Sequence, residues 1–212
     1  ALVLKDKVRF SEVFEDILGR RVMTFDEIKR QMHDPYSISI NEVVIKPIKG
    51  QAGQGIIFPM QNFTSLRQLH DYVISTVKKP DEYLYEERII QHSALNKLNP
   101  SSLNTLRIVT YNDESINKVD VWSVVLRIGI KACTDNFATG GIAALVDHRG
   151  VVCQPAIIKH PSGERFHIHP VSGEKITGCI IPYYDQAIAL AKQAAMRIPK
   201  VRSIGWDVAI TE

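Results

Sequence analysis

The sequence predicts an α+β protein of two subdomains, and three observations carry that prediction. Helix-spaced apolar residues alternate with β-branched runs through roughly the first hundred positions. The second half is dominated by apolar runs separated by polar turns, the pattern of antiparallel strands. One helical stretch interrupts those strands before a last apolar run. At 212 residues the chain is long enough for one well-buried domain or two small subdomains sharing a cleft, and we expect the latter, two α+β subdomains facing each other.

The elements follow in order. Lys5 to Leu18 reads as an amphipathic helix with Val8, Val13, Phe14, Ile17 and Leu18 as its apolar positions, stopped by Gly19. Phe25 to Met32 is a second helical stretch, closed by His33, Asp34 and Pro35. Asn41 to Ile48 is a strand, because Val43, Val44 and Ile45 are consecutive and β-branched. A polar glycine-rich turn follows, Lys49 to Gly55, and Ile56 to Phe58 resumes strand character, which makes a hairpin with a long tip. Ser65 to Val77 is a helix with Leu66, Leu69, Tyr72, Val73 and Val77 on one face and Ser65 or Thr64 as its cap. Tyr83 to Ile90 is a strand. Beyond it, Thr105–Tyr111, Val119–Ile130, Gly141–Val146 and Val151–Ile158 are antiparallel strands. Tyr184–Arg197 is a helix with Ile188, Ala191, Ala195 and Ile198 near one face, and Ser203–Ile210 is a final strand. The expected division is 1–40, a helical lead-in; 41–95, a small subdomain with the hairpin; and 96–212, a larger α+β subdomain.

Bulk properties exclude several classes. Hydrophobic residues make up 45% and charged residues 23%, an ordinary globular balance, and the net charge is only +3 with the basic residues dispersed. No nucleic-acid-binding face is implied. No run approaches the roughly 20 apolar residues that span a bilayer, and Ala1 opens no signal-peptide pattern. Three widely spaced cysteines, Cys133, Cys153 and Cys179, argue against a disulfide framework and fit a reducing, cytoplasmic setting. His160, His167 and His169 with Cys153 and Cys179 lack zinc spacing.

Four features could carry chemistry. Lys46 interrupts an apolar strand just before Gly50, Gln51, Gly53, Gly55 and Ile56. A strand lysine needs solvent or an anion for its ammonium, and glycines let backbone amides approach phosphate; an edge-strand lysine beside a plain hairpin is the alternative. No GKS or GKT closes the loop, so it is not a P-loop, and a kinase would place its glycines before the lysine. Second, Glu86, Glu87, Arg88 and Ile89 with His92 form an extended stretch. Its adjacent carboxylates point to opposite faces, and its backbone could offer an edge to adenine; two solvated carboxylates are the alternative. Third, Asp207 sits amid Ile204, Trp206, Val208 and Ile210, where a carboxylate suits either Mg2+ or an arginine partner. Fourth, Arg107 and Arg127 interrupt apolar strands and suit phosphate or carboxylate, or lie at a sheet edge. Asn136 belongs to the loop after the second arginine strand, Asp135 to Gly141, which suits an active-site loop or a plain surface one.

In this order the pieces resemble the ATP-grasp superfamily. Lys5-Asp6-Lys7 is similar to the start of D-alanine–D-alanine ligases, and the Val-Ile-Lys-Pro strand with its glycine hairpin resembles their phosphate-binding lysine and loop. A closer resemblance is to the sugar-transfer associated ATP-grasp subfamily, related to α-L-glutamate ligases. It is carried by "KGQAGQGI", "EERIIQHSALNKLNPSSLNTLRIVT", "LRIG" with "DNFATGGIAALVD", "HPSGERF" and "IGWDVAIT", and covers the chain from about Lys5 onward.

The resemblance implies an ATP-grasp fold enclosing a nucleotide cleft, with ATP and Mg2+ as cofactors. It implies an ATP-dependent carboxylate–amine or carboxylate–thiol ligase acting through an acylphosphate, on a small-molecule or saccharide carboxylate, in cell-surface polysaccharide or sugar modification. Lys7 and Lys46 would hold phosphates under the Gly50–Gly55 loop; Glu86 to Ile89 would bind adenine; Asp207 would hold Mg2+; Arg107 and Arg127 would bind the transferred phosphate or the acyl carboxylate. The family also expects a second metal carboxylate and an asparagine on a later strand. Glu212 follows Asp207 too closely to fill that position, which implies a chain ending before that strand. A non-catalytic nucleotide-binding or scaffold domain and an ATP-grasp phosphotransferase are the alternatives.

Overall fold

Two units divide the chain, Ala1–Arg88 and Ile89–Glu212. The computed structural model describes residues 3–33, 42–49, 54–113, 115, 118–130, 135–159 and 163–212. The loop-tip residues Gly50, Gln51 and Gly53, and also Cys133 and His160, lie outside the described residues.

The first unit runs α1 (Lys7–Phe14), β1 (Val22–Thr24), α2 (Phe25–Gln31), β2 (Val43–Pro47), α3 (Leu66–Thr76) and β3 (Tyr83–Glu87). Helix α1 is shorter than the predicted stretch because Asp6 caps it, accepting from the amides of Val8 and Arg9 at 3.0 and 3.1 Å. It tightens into a 3-10 turn at Glu15–Ile17 before Gly19, whose φ of +64° suits glycine. A reciprocal capping box starts α2: Thr24 Oγ1 accepts from the Glu27 amide and Glu27 Oε2 accepts from the Thr24 amide at 2.6 Å. Ser65 caps α3, accepting from the Gln68 amide. Leu66, Leu69 and Val73 of α3 are buried in one core with Phe25, Ile28, Ile45 and Tyr85. The strands form an antiparallel sheet in the order β1-β3-β2. Strand β1 has too few residues to show a period and was not expected. The predicted hairpin is present where described: Ile45 and Ile57 exchange both backbone hydrogen bonds, at 3.0 and 2.9 Å.

The second unit runs α4 (Ser93–Asn96), β4 (Thr105–Asp113), β5 (Lys118–Ile128), β6 (Ile142–Leu145), β7 (Ala156–Ile158), β8 (Arg165–Phe166), α5 (Tyr184–Met196) and β9 (Ser203–Ala209). Its six strands are antiparallel in the order β8-β7-β6-β5-β4-β9. Neither α4 nor β8 was foreseen, both being too short for a periodic signal. Helix α5 packs on β4, β5 and β9. It buries Ala191 and Ala195 as expected, with Ala187 and Ala194 in place of Ile188 and Ile198, which are half-buried; small side chains let a helix sit close to a sheet.

The side chain of Asn112 identifies the covered face of the sheet, because it donates to the carbonyl of Ala195 in α5 at 3.2 Å. Leu106 and Ile108 share that face by the two-residue period and are fully buried, as is Leu126 on β5. Each contributes about 1.5–3 kcal/mol by leaving water. Arg107, Val109, Tyr111 and Val125 point the other way and are only half-buried, and Arg127 points with them, its side chain 11% exposed. A saturated polar cluster fixes the approach to β4. Gln91 Nε2 donates to the carbonyls of Asn99 and Ser102, its Oε1 accepts from the Asn104 amide, and Asn104 Nδ2 reaches the carbonyls of Leu95 and Asn99. Such a network is costly unless complete. No helix among the described residues is long and apolar enough to cross a membrane.

The capping box yields a first expectation. Thr24→Ala should lower the stability of the first unit by about 1 kcal/mol, read as faster amide hydrogen exchange in α2 and a lower urea midpoint, with the second unit unchanged.

Candidate functional site

Each unit carries one cluster of charge. In the first, Lys46 on β2 stands opposite Leu84 of β3, and the central strand β3 brings Glu86 between its two neighbours. Glu86 is buried at 6% exposure; its Oε2 accepts from Lys46 Nζ at 2.7 Å and from Arg20 Nε at 3.0 Å. Lys7, at the start of α1, donates its ammonium to the carbonyl of Pro47. Burial raises the Glu86 carboxyl, but the charges and hydrogen bonds of Arg20 and Lys46 outweigh it and hold the group below its ordinary range. Burial pushes Lys7 below the usual lysine range; the Lys46 charge adds to this and the Glu86 charge opposes it. Three cations thus surround one carboxylate, leaving two positive charges uncompensated among the described residues. That is the charge balance of a polyanion site.

This geometry gives Glu86 a definite role: it orients Lys46 and Arg20. Glu87, on the opposite face as the strand period requires, is exposed. The amides of Glu87 and Arg88 bond to the carbonyls of Arg21 and Glu42 at 2.9 and 3.0 Å. As far as Arg88, then, the extended edge offered to a base is spent inside the sheet, because β3 is the middle strand. The Arg88 guanidinium pairs with Glu42 at 2.7 Å. Gly55, with φ of +72°, lies where an added Cβ would come within 3.0 Å of the Pro47 ring. Arg20 escaped the sequence reading; its only signal was a position after the Gly19 stop.

In the second unit, the register places Arg107 directly opposite Asp207 and Thr105 opposite Arg127. Asp207 Oδ1 lies 2.8 Å from both Arg107 Nε and Arg127 Nη1, and its Oδ2 accepts from Arg107 Nη2 at 3.2 Å. Arg127 Nη2 pairs with Asp135 Oδ1 at 3.1 Å. Asp135 is anchored in turn by the amide of Thr105 at 3.0 Å and by its hydroxyl. Burial holds the Asp135 carboxyl above the usual range, and the Asp207 charge adds to this, against the Thr105 hydrogen bonds and Arg127. Arg127 Nε is buried and has no hydrogen-bond partner among the described residues.

Asp207 does not sit among its apolar neighbours. Ile204 and Trp206 face the covered side, whereas Gly205 and Asp207 face the open one, and the Asp207 side chain is 45% exposed. Gly205 makes room for the arginine: an added Cβ there would meet Arg107 Nη1 at 2.6 Å. The glycines after Asn136 have a similar use. Gly140 adopts φ of +102°, and a Cβ on Gly141 would meet the Asp135 carbonyl at 2.6 Å, so the loop can close and deliver Asp135 to Arg127. Asn136 itself caps the 3-10 turn, accepting from the Ala138 amide at 2.9 Å.

The same open face holds a cavity of about 710 Å³, lined by Arg107, Arg127 and Asn136 at one side and by Lys159 and Arg165 at another, over an apolar floor. His92 is elsewhere in this unit, capping α4 through Nδ1 at 3.0 Å and 3.5 Å from Glu212. His169 is buried against the Gly129 carbonyl, and the described residues contain no group of three metal-ligating side chains. Asp135, Lys159 and Arg165 were not singled out from the sequence. Asp135 opens the loop that was, and Arg165 lies in the "HPSGERF" stretch.

A family model described as sugar-transfer associated ATP-grasp matches residues 1–212. No curated protein matches the chain. Similar solved structures include a D-alanyl-alanine synthetase A from Vibrio cholerae, at 8% identity and a TM-score of 0.42, covering 98% of this chain and 52% of that one. A bifunctional glutathione synthetase from Pasteurella multocida matches at 15% identity and a TM-score of 0.44, covering 100% and 30%. A D-alanine-D-alanine ligase from Coxiella burnetii matches at 10% identity and a TM-score of 0.33, covering 93% and 58%. The chain thus spans between 30% and 58% of the length of these structures, and the likeness is too slight to transfer residue roles.

The Glu86 cluster sets a pH dependence. A carboxyl held below its ordinary value of 4.5 contributes stability that is present above that value and is lost as pH falls through the lowered one. Unfolding free energies of the first unit should therefore drop on acidification below that value. Glu86→Gln should cost about 2–3 kcal/mol at neutral pH and flatten that acid limb in urea titrations.

Proposed function

The chain belongs to the sugar-transfer associated ATP-grasp family, and on that premise we propose that it works as an ATP-dependent ligase joining a carboxylate acceptor to an amine or thiol. The observation that carries the nucleotide part of this reading is the first unit's cluster, in which Lys7, Lys46 and Arg20 surround the single carboxylate of Glu86. Two uncompensated charges suit a polyphosphate, and the hydrogen bonds to Glu86 hold Lys46 and Arg20 in place. The Gly50–Gly55 loop, which begins four residues after Lys46, is assigned as the cover of those phosphates, with Ile56 at its foot. Adenine is not assigned to Glu86–Arg88, because the Glu86 carboxylate and the amides of Glu87 and Arg88 are already spent inside the first unit's sheet.

Arg107 and Arg127 are assigned to the acceptor carboxylate and the phosphoryl group passing to it. ATP, when bound, would supply that phosphoryl group to an acceptor oxygen with ADP as the leaving group, and the amine or thiol would then displace phosphate and lose its proton. Planar guanidinium groups suit both the carboxylate and the developing charge. Their ion pairs fix them before any ligand arrives, which is the positioning that such chemistry requires. Asn136 lines the same cavity and is assigned to orient the acceptor.

Asp207 is assigned to Mg2+ from the family resemblance; its carboxylate is already paired with Arg107 and Arg127, so an ion would share it with them. Oδ1 is held by both arginines, whereas Oδ2 has a single contact at 3.2 Å and the side chain is 45% exposed. Magnesium characteristically takes one or two carboxylates plus phosphate oxygens. The ion would neutralise phosphate charge when bound. The family's description joins it to sugar transfer, which supports an acceptor among saccharides or small carboxylates in polysaccharide modification.

Two substitutions test this. Lys46→Ala should weaken ATP binding roughly tenfold to a hundredfold in calorimetry; equal affinity would remove the phosphate role. Asp207→Asn should abolish ADP release and hardly change thermal stability. Asp207 is an exposed partner worth about 1 kcal/mol or less, and Asp135 still neutralises the buried Arg127. A large fall in melting temperature with near-normal turnover in the folded fraction would make Asp207 structural. ATP binding with no turnover on any carboxylate would favour a non-catalytic nucleotide-binding domain, and a stable phosphoester product a phosphotransferase.

A further inference from the structure

The open face of the second unit's sheet carries more positive charge than one carboxylate needs, and it carries it in two places. Strand register orders one row across the sheet: Arg127 on β5 stands opposite Ala143 on β6, Ala143 opposite Ile157 on β7, and Ile157 opposite Arg165 on β8. All four line the same cavity, so their side chains share one face. Neighbouring strands lie about 4.8 Å apart, which puts the two arginine backbones about 14 Å from one another, with only apolar side chains between them.

The two ends of this row differ electrostatically. Arg127 and Arg107 are compensated by Asp135 and Asp207. Arg165 and Lys159 at the far end have no ion-pair partner among the described residues, and none of the described residues lining the cavity is acidic. Between the ends, Leu145 and Ile157 are 44% and 45% exposed, although both belong to strands whose other face is buried. An uncompensated cation pair thus lies across an uncovered apolar strip from an arginine pair already held by carboxylates; the far pair attracts an anion, the strip takes apolar surface, and the near guanidinium groups offer hydrogen bonds rather than net charge.

We propose that the acceptor is an elongated acid, anionic at both ends and apolar between, lying across β5 to β8 with its second anion at Lys159 and Arg165. This rests on reading the cavity as the acceptor site. The reacting carboxylate sits at Arg107 and Arg127, and the far group is a second carboxylate or a phosphate, both of which a guanidinium binds through paired hydrogen bonds. The far anion supplies affinity and length selection and takes no part in bond making.

Calorimetry on the chain without nucleotide tests this, using straight-chain α,ω-dicarboxylates from succinate to tetradecanedioate beside the monocarboxylates of equal length. Affinity should peak near decanedioate and exceed that for decanoate roughly tenfold. Arg165→Gln should remove that preference, bringing decanedioate down to the affinity of decanoate, and Arg165→Lys should restore part of it. Circular dichroism confirms that the variants are folded; Arg165 is exposed on a two-residue strand. Comparing decanedioate with the ω-phosphono analogue of decanoate assigns the second anion to a carboxylate or a phosphate, and either result supports the proposal. A flat length series, equal binding of mono- and dicarboxylates, or an Arg165→Gln protein that keeps the preference would overturn it. ADP release is not read here, so the ligase reading can fail while this one stands, and the reverse.

Discussion

A guanidinium that is only 11% exposed must have its charge answered inside the protein, and Arg127 is answered twice. Asp135 meets it from the loop after β5, and Asp207 meets it from β9, two strands away. The loop and the last strand are therefore fixed to the same point on β5. The glycines at 140 and 141 let the loop close, and Gly205 leaves room for Arg107 to reach Asp207. Removing both partners would strand a buried charge, a cost of several kcal/mol. With two carboxylates sharing the task, one of them can remain half exposed and open to a ligand.

The first unit answers the same electrostatic demand with the signs reversed. There the buried group is a carboxylate, Glu86, and the cations that answer it, Arg20 and Lys46, come from the segment before β1 and from β2. With Lys7 the cations outnumber the acid, so this cluster is left attractive to anions. The Arg107–Asp207–Arg127–Asp135 chain is balanced, so it is a preorganised set of donors with little net charge. The excess on that face appears only at Lys159 and Arg165.

The second unit's arrangement depends on a sheet with one covered face. The alanine stripe of α5 seals the side bearing Leu106, Ile108 and Leu126 and leaves the other side free. Every second residue of β4, β5 and β9 is thereby directed to the open side, where charge is tolerated because water reaches it.

Much of this was legible in the sequence. Apolar spacing and stop signals located α2, α3 and α5 and the long strands to within a few residues, because those signals are local: the Ser65 cap of α3 or a β-branched run needs no distant partner. The charged interruptions at Lys46, Arg107, Arg127 and Asp207 were legible for the same reason, as departures from an apolar pattern. The sequence could not show which charges meet. That Arg107 faces Asp207 a hundred residues away, that Asp135 rather than its neighbour Asn136 holds Arg127, and that Arg20 shares Glu86 with Lys46 all follow from strand order and register. Register is a property of the sheet as a whole, set by burying one face and saturating its hydrogen bonds. Three-residue β1 and two-residue β8 exist only because a neighbouring strand offers them an edge. By itself the sequence determined which residues are chemically unusual; only the tertiary structure decided their partners, because pairing across strands is fixed by the packing of residues far apart in the chain.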